Sequence, residues 1–125
     1  MLGATAVSLN NQLVVLIELC RDCSDACGSC GRAFAASGLT DTFRNCESVC
    51  SDCADVCRAT SQVAARYSGG DANAFVALLR ACAKACGECA AECAKHNLEA
   101  AVQCASASLA CKHACERLAE VLRWR

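Results

Sequence analysis

Fifteen of the 125 residues are cysteines, and their spacing is the feature of the chain most able to do chemistry. They form four sets with steps of three or four residues and one step of seven: Cys20, Cys23, Cys27 and Cys30; Cys46, Cys50, Cys53 and Cys57; Cys82, Cys86, Cys89 and Cys93; Cys104, Cys111 and Cys115. Residues three or four apart share one face of an α-helix, so each set predicts a helix with a stripe of thiols. Ser108 stands where the repeat predicts one more cysteine.

Thiolates are soft ligands that select Cu(I), Zn(II) or iron–sulfur clusters. A zinc ion bound by four thiolates keeps a double negative charge, which is costly inside a dry helical core. Cu(I) accepts two or three thiolates, and when each sulfur bridges two ions, each Cu(I) replaces one thiol proton and the core stays neutral. The pattern therefore favours several Cu(I) ions, at about one per thiol or about fifteen per chain.

The cysteines could also serve other purposes. A metallothionein-like buffer for zinc or mixed metals is the main alternative. The run from Cys20 to Cys30 has a spacing superficially like that of a ferredoxin, but no proline follows it and the spacing is helical. Disulfide bonding is opposed by the odd count and the helical spacing. Packing of cysteine as a small apolar residue does not explain fifteen thiols in register.

The elements that position these thiols are predicted to be helices only. The chain has no proline and few aromatic residues, and it is rich in alanine and leucine. Breaks near Gly38, at 68–70 and at 96–97 leave helices at about 8–37, 41–67, 72–96 and 98–123. Short connections predict an all-α, antiparallel, up-down-up-down four-helix bundle with a cysteine-lined core, formed by a single domain spanning residues 1–125.

Antiparallel packing also predicts which cysteines share a layer. The four expected layers are Cys30, Cys46, Cys93 and Cys104; Cys27, Cys50, Cys89 and Ser108; Cys23, Cys53, Cys86 and Cys111; and Cys20, Cys57, Cys82 and Cys115. The first of these layers is the one expected nearest the two connections that join helix one to helix two and helix three to helix four.

The two ends of the predicted bundle differ. Past the last layer, the inward positions are apolar and form what we call the apolar end: Leu13, Leu16, Ile17, Ala64, Tyr67, Phe75, Leu78, Leu79, Leu118 and Leu122. The opposite end, called here the histidine end, carries Phe34, Phe43 and His96. Because it is shorter and more polar, we expect it to be open and to admit the metal.

The two histidines are predicted to face opposite ways, one toward the core and one toward the solvent. His96 lies three residues after Cys93 and continues the inward stripe, so it is predicted to bind the metal or guide it inward. His113 lies two residues after Cys111, about 200° around the helix, so it is predicted to face the solvent.

Charge and hydropathy argue against several classes of function. The formal net charge is -1 and the basic residues are scattered, which speaks against a nucleic-acid or anionic-membrane partner. The apolar run from Leu13 to Leu19 is too short to span a bilayer. The first basic residue is Arg21 and no twin-arginine pair is present, so we expect a cytoplasmic protein.

Two segments, CSDCADVC (50–57) and CGECAAEC (86–93), resemble the cysteine-rich repeat of the bacterial copper storage proteins. The chain is similar to the cytosolic branch of that family over Cys20 to Cys115. The resemblance implies a homotetramer of four-helix bundles in which C-x-x-x-C pairs hold many Cu(I) ions. Ser108 departs from the repeat, and there is no methionine beyond Met1.

We therefore predict cytosolic storage and sequestration of Cu(I) by a protein that is not an enzyme. Copper ions are the predicted ligand, and a copper donor or acceptor protein is a further expected partner. All fifteen cysteines and His96 are the candidate ligands.

Overall fold

The computed structural model describes residues 2–38 and 40–123, which form four α-helices. Their bounds are α1 Leu2–Ser37, α2 Thr40–Arg66, α3 Asn73–Cys93 and α4 Glu99–Arg123. Helix α1 packs against α2 and α4, and α3 packs against the same two helices. This is the predicted antiparallel bundle. Within the described residues, no helix has an apolar stretch long enough to cross a membrane.

The helix ends follow local chemistry. Gly38 has a φ of 76°, a left-handed conformation that ends α1 at little cost because glycine has no Cβ. The carboxylate of Asp71 accepts a hydrogen bond of 2.9 Å from the backbone N–H of Asn73 at the start of α3. Helix α3 ends at Cys93, three residues earlier than predicted, and the His96 N–H then donates to the Cys93 carbonyl at 3.1 Å in a turn.

The apolar end is present as predicted. Seven of its expected members are buried: Leu13, Leu16, Ala64, Phe75, Leu79, Leu118 and Leu122. The other three, Ile17, Tyr67 and Leu78, are partly buried. Thr60 is also fully buried, and its hydroxyl donates to the Val56 carbonyl at 2.7 Å, which satisfies the buried polar group.

The histidine end is covered, which corrects the prediction that it is open. Phe34 is fully buried and stacks on Phe43 with ring centroids 4.2 Å apart. The His96 ring meets both phenyl rings edge-on, at centroid distances of 5.3 Å and 4.9 Å. Since α3 ends at Cys93, His96 lies on a turn, where its ring packs against the two phenyl rings. These three rings are called here the aromatic cover.

Candidate metal centre

All fifteen cysteines are free and buried in the bundle core. Each comes from the inward face of its helix, because steps of three and four residues keep a stripe on one side. Thirteen of the thiol side chains have no exposed surface, while Cys27 and Cys50 are each 2% exposed. Ser108, at the gap in the repeat, is fully buried as well. The sequence therefore produces a continuous column of sulfur atoms sealed from solvent along most of its length.

Helices α2 and α3 pair their cysteines in the predicted order. The Sγ–Sγ distances are 3.6 Å for Cys46 and Cys93, 3.7 Å for Cys50 and Cys89, 3.7 Å for Cys53 and Cys86, and 3.8 Å for Cys57 and Cys82. Helix α1 joins the same layers through Cys30, Cys27 and Cys23, whose Sγ atoms lie 3.9, 3.8 and 3.7 Å from Cys93, Cys89 and Cys53, respectively. The layers predicted for these three helices are confirmed by these contacts.

The predicted layers of α4 are displaced by part of a step toward the apolar end. The contacts that show this are Cys104 with Cys27 at 3.6 Å, Ser108 Oγ with Cys23 Sγ at 3.4 Å, and Cys111 with Cys20 at 3.6 Å. Cys104 also shares a four-thiol group with its predicted partners Cys30 and Cys93, and Cys111 shares one with Cys23 and Cys86, so both lie between two layers. Cys115 lies with Cys20 and Cys82, as predicted.

The early end of α3 explains this shift. The chain leaves α3 at Cys93, within the outermost thiol layer, and needs residues 94–98 to reach α4. The first inward residue of α4 is then Ala101, which is fully buried and precedes Cys104 by one turn. An alanine methyl group therefore lies one turn further out than the first thiol of α4.

Five groups of thiols are close enough to share a metal, with all ligand atoms of a group within 4.8 Å of one another. They are Cys20, Cys82, Cys111 and Cys115; Cys23, Cys57, Cys86 and Cys111; Cys23, Cys27 and Cys53; Cys27, Cys50, Cys89 and Cys104; and Cys30, Cys50, Cys93 and Cys104. Because several members belong to two groups, the groups form one connected array. Cys46 and His96 stand outside these groups.

Most of the sulfur contacts join different helices. Within one helix, Cys53 and Cys57 lie on consecutive turns with their Sγ atoms 4.0 Å apart. A two-coordinate metal in this array could therefore bridge helices as readily as it bridges a C-x-x-x-C pair. A metal that bridges thiols of two helices would tie those helices together, whereas one that bridges a C-x-x-x-C pair would link consecutive turns of a single helix.

Burial keeps the outermost thiols protonated. Loss of solvent raises the pKa of Cys30 to about 12, and burial also raises the pKa of Cys46 above its ordinary value. A metal ion that binds these sulfur atoms must therefore displace their protons, so binding releases protons and weakens at low pH.

His96 lies above the thiol array and not within it. Its Nε2 atom is buried, makes no hydrogen bond and lies 3.6 Å from Oε2 of Glu92. The other carboxylate oxygen of Glu92 accepts hydrogen bonds from Asn45 at 2.8 Å and Lys95 at 3.1 Å. These contacts do not test whether His96 binds metal, so its role as a ligand stays a prediction. His113 is exposed, as predicted.

Sequence reasoning placed the three residues of the aromatic cover at one end but missed that their rings close it. Phe34 lies four residues after Cys30, and Phe43 lies three residues before Cys46. Both therefore continue the inward stripes of α1 and α2. This spacing was the sequence signal that the two phenyl rings would point into the end of the bundle.

Comparisons with known proteins agree with this geometry. A sequence model described as copper storage protein matches residues 9–120. A cytosolic copper storage protein from Streptomyces lividans, in a structure with five coppers, is 38% identical, with a TM-score of 0.85 over 88% of this chain and 93% of that one. The same protein loaded with 10 copper equivalents gives 36% identity and a TM-score of 0.87, over 91% and 88% of the two chains.

A Cu(I)-bound copper storage protein from Bacillus subtilis is more distant. It is 26% identical, with a TM-score of 0.78 over 86% of this chain and 98% of that one. No curated protein sequence matches the chain.

Proposed function

The chain belongs to the copper storage protein family, and from that premise we propose that it stores and sequesters several Cu(I) ions as thiolate complexes inside its bundle. The observation that carries the proposal is the connected array of buried thiols, in which four groups each bring four sulfur atoms within 4.8 Å. Such an array offers soft ligands in far greater number than one metal site requires.

Charge balance supports Cu(I) as the stored ion. A neutral thiol that exchanges its proton for one Cu(I) leaves the charge of the core unchanged, whereas tetrahedral zinc sites would each leave excess negative charge away from water. Burial raises the pKa of Cys30 and of Cys46, so these two thiols hold their protons until a metal replaces them. We propose that all fifteen cysteines take part and that His96 acts as a ligand or guide at its end of the array.

The remaining properties are proposed from the relatives. The S. lividans protein is described as cytosolic, and we propose the same compartment here. We also propose a homotetramer, a role without catalysis, and exchange of copper with a donor or acceptor protein.

An anaerobic Cu(I) titration against a competing chelator, with thiols counted in parallel, tests the storage function. We expect colourless binding that continues toward about one Cu(I) per thiol, because each sulfur can bridge two ions. Saturation at four or fewer Cu(I) ions per chain would contradict storage. Replacing Cys53 and Cys89 by serine should lower the capacity while the far-ultraviolet circular dichroism stays helical.

The same purified protein distinguishes Cu(I) storage from zinc buffering and from iron–sulfur binding. Zinc should saturate near one ion per four cysteines, because it needs four thiolates of its own. A zinc or mixed-metal buffer would hold zinc against Cu(I) in a competition, and an iron–sulfur protein would be brown when purified. We expect Cu(I) to displace zinc.

A further inference from the structure

Hydrogen bonds between thiols divide the array into two sets. Sγ–Sγ contacts of 3.6–4.0 Å join the cysteines toward the histidine end with one another and, separately, those toward the apolar end. The histidine-side set is Cys27, Cys30, Cys46, Cys50, Cys89, Cys93 and Cys104. The apolar-side set is Cys20, Cys23, Cys53, Cys57, Cys82, Cys86, Cys111 and Cys115.

The two sets meet at one place. Among the described cysteines, no thiol–thiol hydrogen bond crosses from one set to the other, and four of the five groups that could share a metal lie within one set. The group that spans both sets is Cys23, Cys27 and Cys53, and it has three members where the others have four. A copper ion shared between the sets would therefore have to bond to these three sulfur atoms.

The gap in the repeat of α4 lies at this meeting place. Helices α1, α2 and α3 cross it with steps of three or four residues, so each brings sulfur to both sides. Helix α4 crosses it from Cys104 to Cys111, a step of seven residues and about 10 Å along the helix axis. Ser108 lies within this step, is fully buried, and has its Oγ 3.4 Å from the Sγ of Cys23. A hydroxyl group thus stands beside the spanning group, where the repeat predicts a thiol.

An alcohol cannot replace a thiol in a copper–thiolate cluster. Its oxygen is a harder ligand than sulfur, and it keeps its proton, so a copper ion held there would leave an unbalanced positive charge in the core. The hydroxyl of Ser108 can instead donate a hydrogen bond to the sulfur of Cys23 once that sulfur is a thiolate. Such a hydrogen bond occupies a lone pair that would otherwise bond to a second copper ion.

We propose that the chain holds its Cu(I) in two separate copper–thiolate clusters, one in each set, and that Ser108 keeps them apart. The inference rests on the proposed storage of Cu(I). Within one set, each added ion bonds to sulfur that already holds a neighbouring ion, so a cluster that has begun is readily completed. The first ion of the other set gains no shared sulfur. At about one ion per thiol, the clusters hold about seven and about eight Cu(I).

Mass spectrometry of partly loaded protein tests this division. Cu(I) is added in steps without oxygen, the assembly is sprayed under native conditions, and the ions bound per chain are counted on subunits released by collision. We expect chains with about seven to eight Cu(I) to accumulate, because one cluster fills before the other begins. A distribution that moves smoothly from empty to full would overturn the division.

Ser108→Cys supplies the missing sulfur and should remove this accumulation, because a thiol at position 108 can bridge copper ions of both sets. The matched control is Ser106→Cys, which adds a thiol at an exposed position of the same helix and should leave the accumulation in place. Accumulation that is as strong in Ser108→Cys as in the wild type would contradict the role of Ser108.

The final capacity distinguishes this result from the storage function. Saturation of the wild type near fifteen Cu(I) with a smooth distribution of partly loaded chains rejects the two clusters and leaves storage intact. Saturation at four or fewer Cu(I) rejects storage itself.

A crystal structure of the fully loaded protein provides a second measurement. Anomalous scattering at the copper absorption edge locates each ion. We expect no copper within bonding distance of the Ser108 hydroxyl, and we expect no ion that joins the two sets except at Cys23, Cys27 and Cys53. A copper ion that bonds to Ser108 Oγ, or one that links Cys104 to Cys111, would overturn the proposal.

Discussion

The apolar end and the thiol array are built from the same four inward stripes, yet they are suited to different tasks. At the apolar end the inward positions carry residues such as Leu16, Leu79 and Leu118, each buried almost completely. Along the array the same positions carry cysteines, which are also buried but remove less apolar surface from water. Fully burying a leucine contributes roughly 1.5–3 kcal/mol, so the apolar end supplies much of the stability of the metal-free protein.

This difference indicates that one segment of the bundle mainly stabilises the fold and another mainly binds the metal. The thiol positions need not maximise apolar burial, because the leucine and phenylalanine side chains at one end already hold the helices together. Substitutions at the apolar end should therefore change mainly the free energy of unfolding, and substitutions in the thiol array should change mainly the number of Cu(I) ions bound.

The largest effect is expected from a cavity at the apolar end. Leu79→Ala should lower the free energy of unfolding by about 2–5 kcal/mol, because Leu79 is fully buried and the shorter side chain leaves a cavity. Urea denaturation of the metal-free protein measures this loss. The number of Cu(I) ions bound per folded chain should not change.

The matched change in the thiol array is Cys86→Ala, because Cys86 is fully buried and belongs to a four-thiol group. We expect a smaller loss of unfolding free energy than for Leu79→Ala, together with a reduced Cu(I) capacity. If the two variants lost the same stability, or if Leu79→Ala lost copper capacity while folded, the separation of the two regions would be wrong.

A smaller effect is expected from alkaline pH. The pKa of Cys30 is raised by burial from 9.0 to about 12, and the pKa of Cys46 is raised as well. These thiols keep their protons in the folded protein after the unfolded chain has lost them. Their contribution to stability is therefore complete below about pH 9 and disappears as the pH rises toward 12.

Urea denaturation of the reduced, metal-free protein between about pH 8 and pH 11 measures this loss. Leu79→Ala should show the same dependence on pH as the wild type, because its cavity adds no titrating group. Copper-loaded protein should show a weaker dependence, since its thiols have already lost their protons. A metal-free protein whose stability stayed constant over this range would contradict the role of the buried thiols.

The smallest effect is expected from filling the gap in the array. Ser108→Cys places a thiol within reach of Cys23, whose Sγ lies 3.4 Å from the present hydroxyl oxygen, and should add about one Cu(I) per chain. Ser106→Cys is the control, because Ser106 is exposed on the same helix. Equal capacities for both variants, measured by competitive titration, would show that position 108 does not take part in binding.

Much of the site follows from spacing alone. The four helices, the thiol stripes, the layers of α1, α2 and α3, and the buried residues of the apolar end were all predicted from steps of three and four residues. The outward position of His113 followed from the same rule. The shift of α4 did not, because it depends on α3 ending at Cys93 and on the five residues that connect it to Glu99.

The sequence by itself determined which residues share a helix face, because the rise and turn of an α-helix are set by backbone hydrogen bonds that each residue repeats. Only the tertiary structure decided how far each helix slides along its neighbour and that Phe34, Phe43 and His96 close one end. These features depend on contacts between distant segments. Side-chain packing sets such contacts, and the periodicity of one helix carries no information about them.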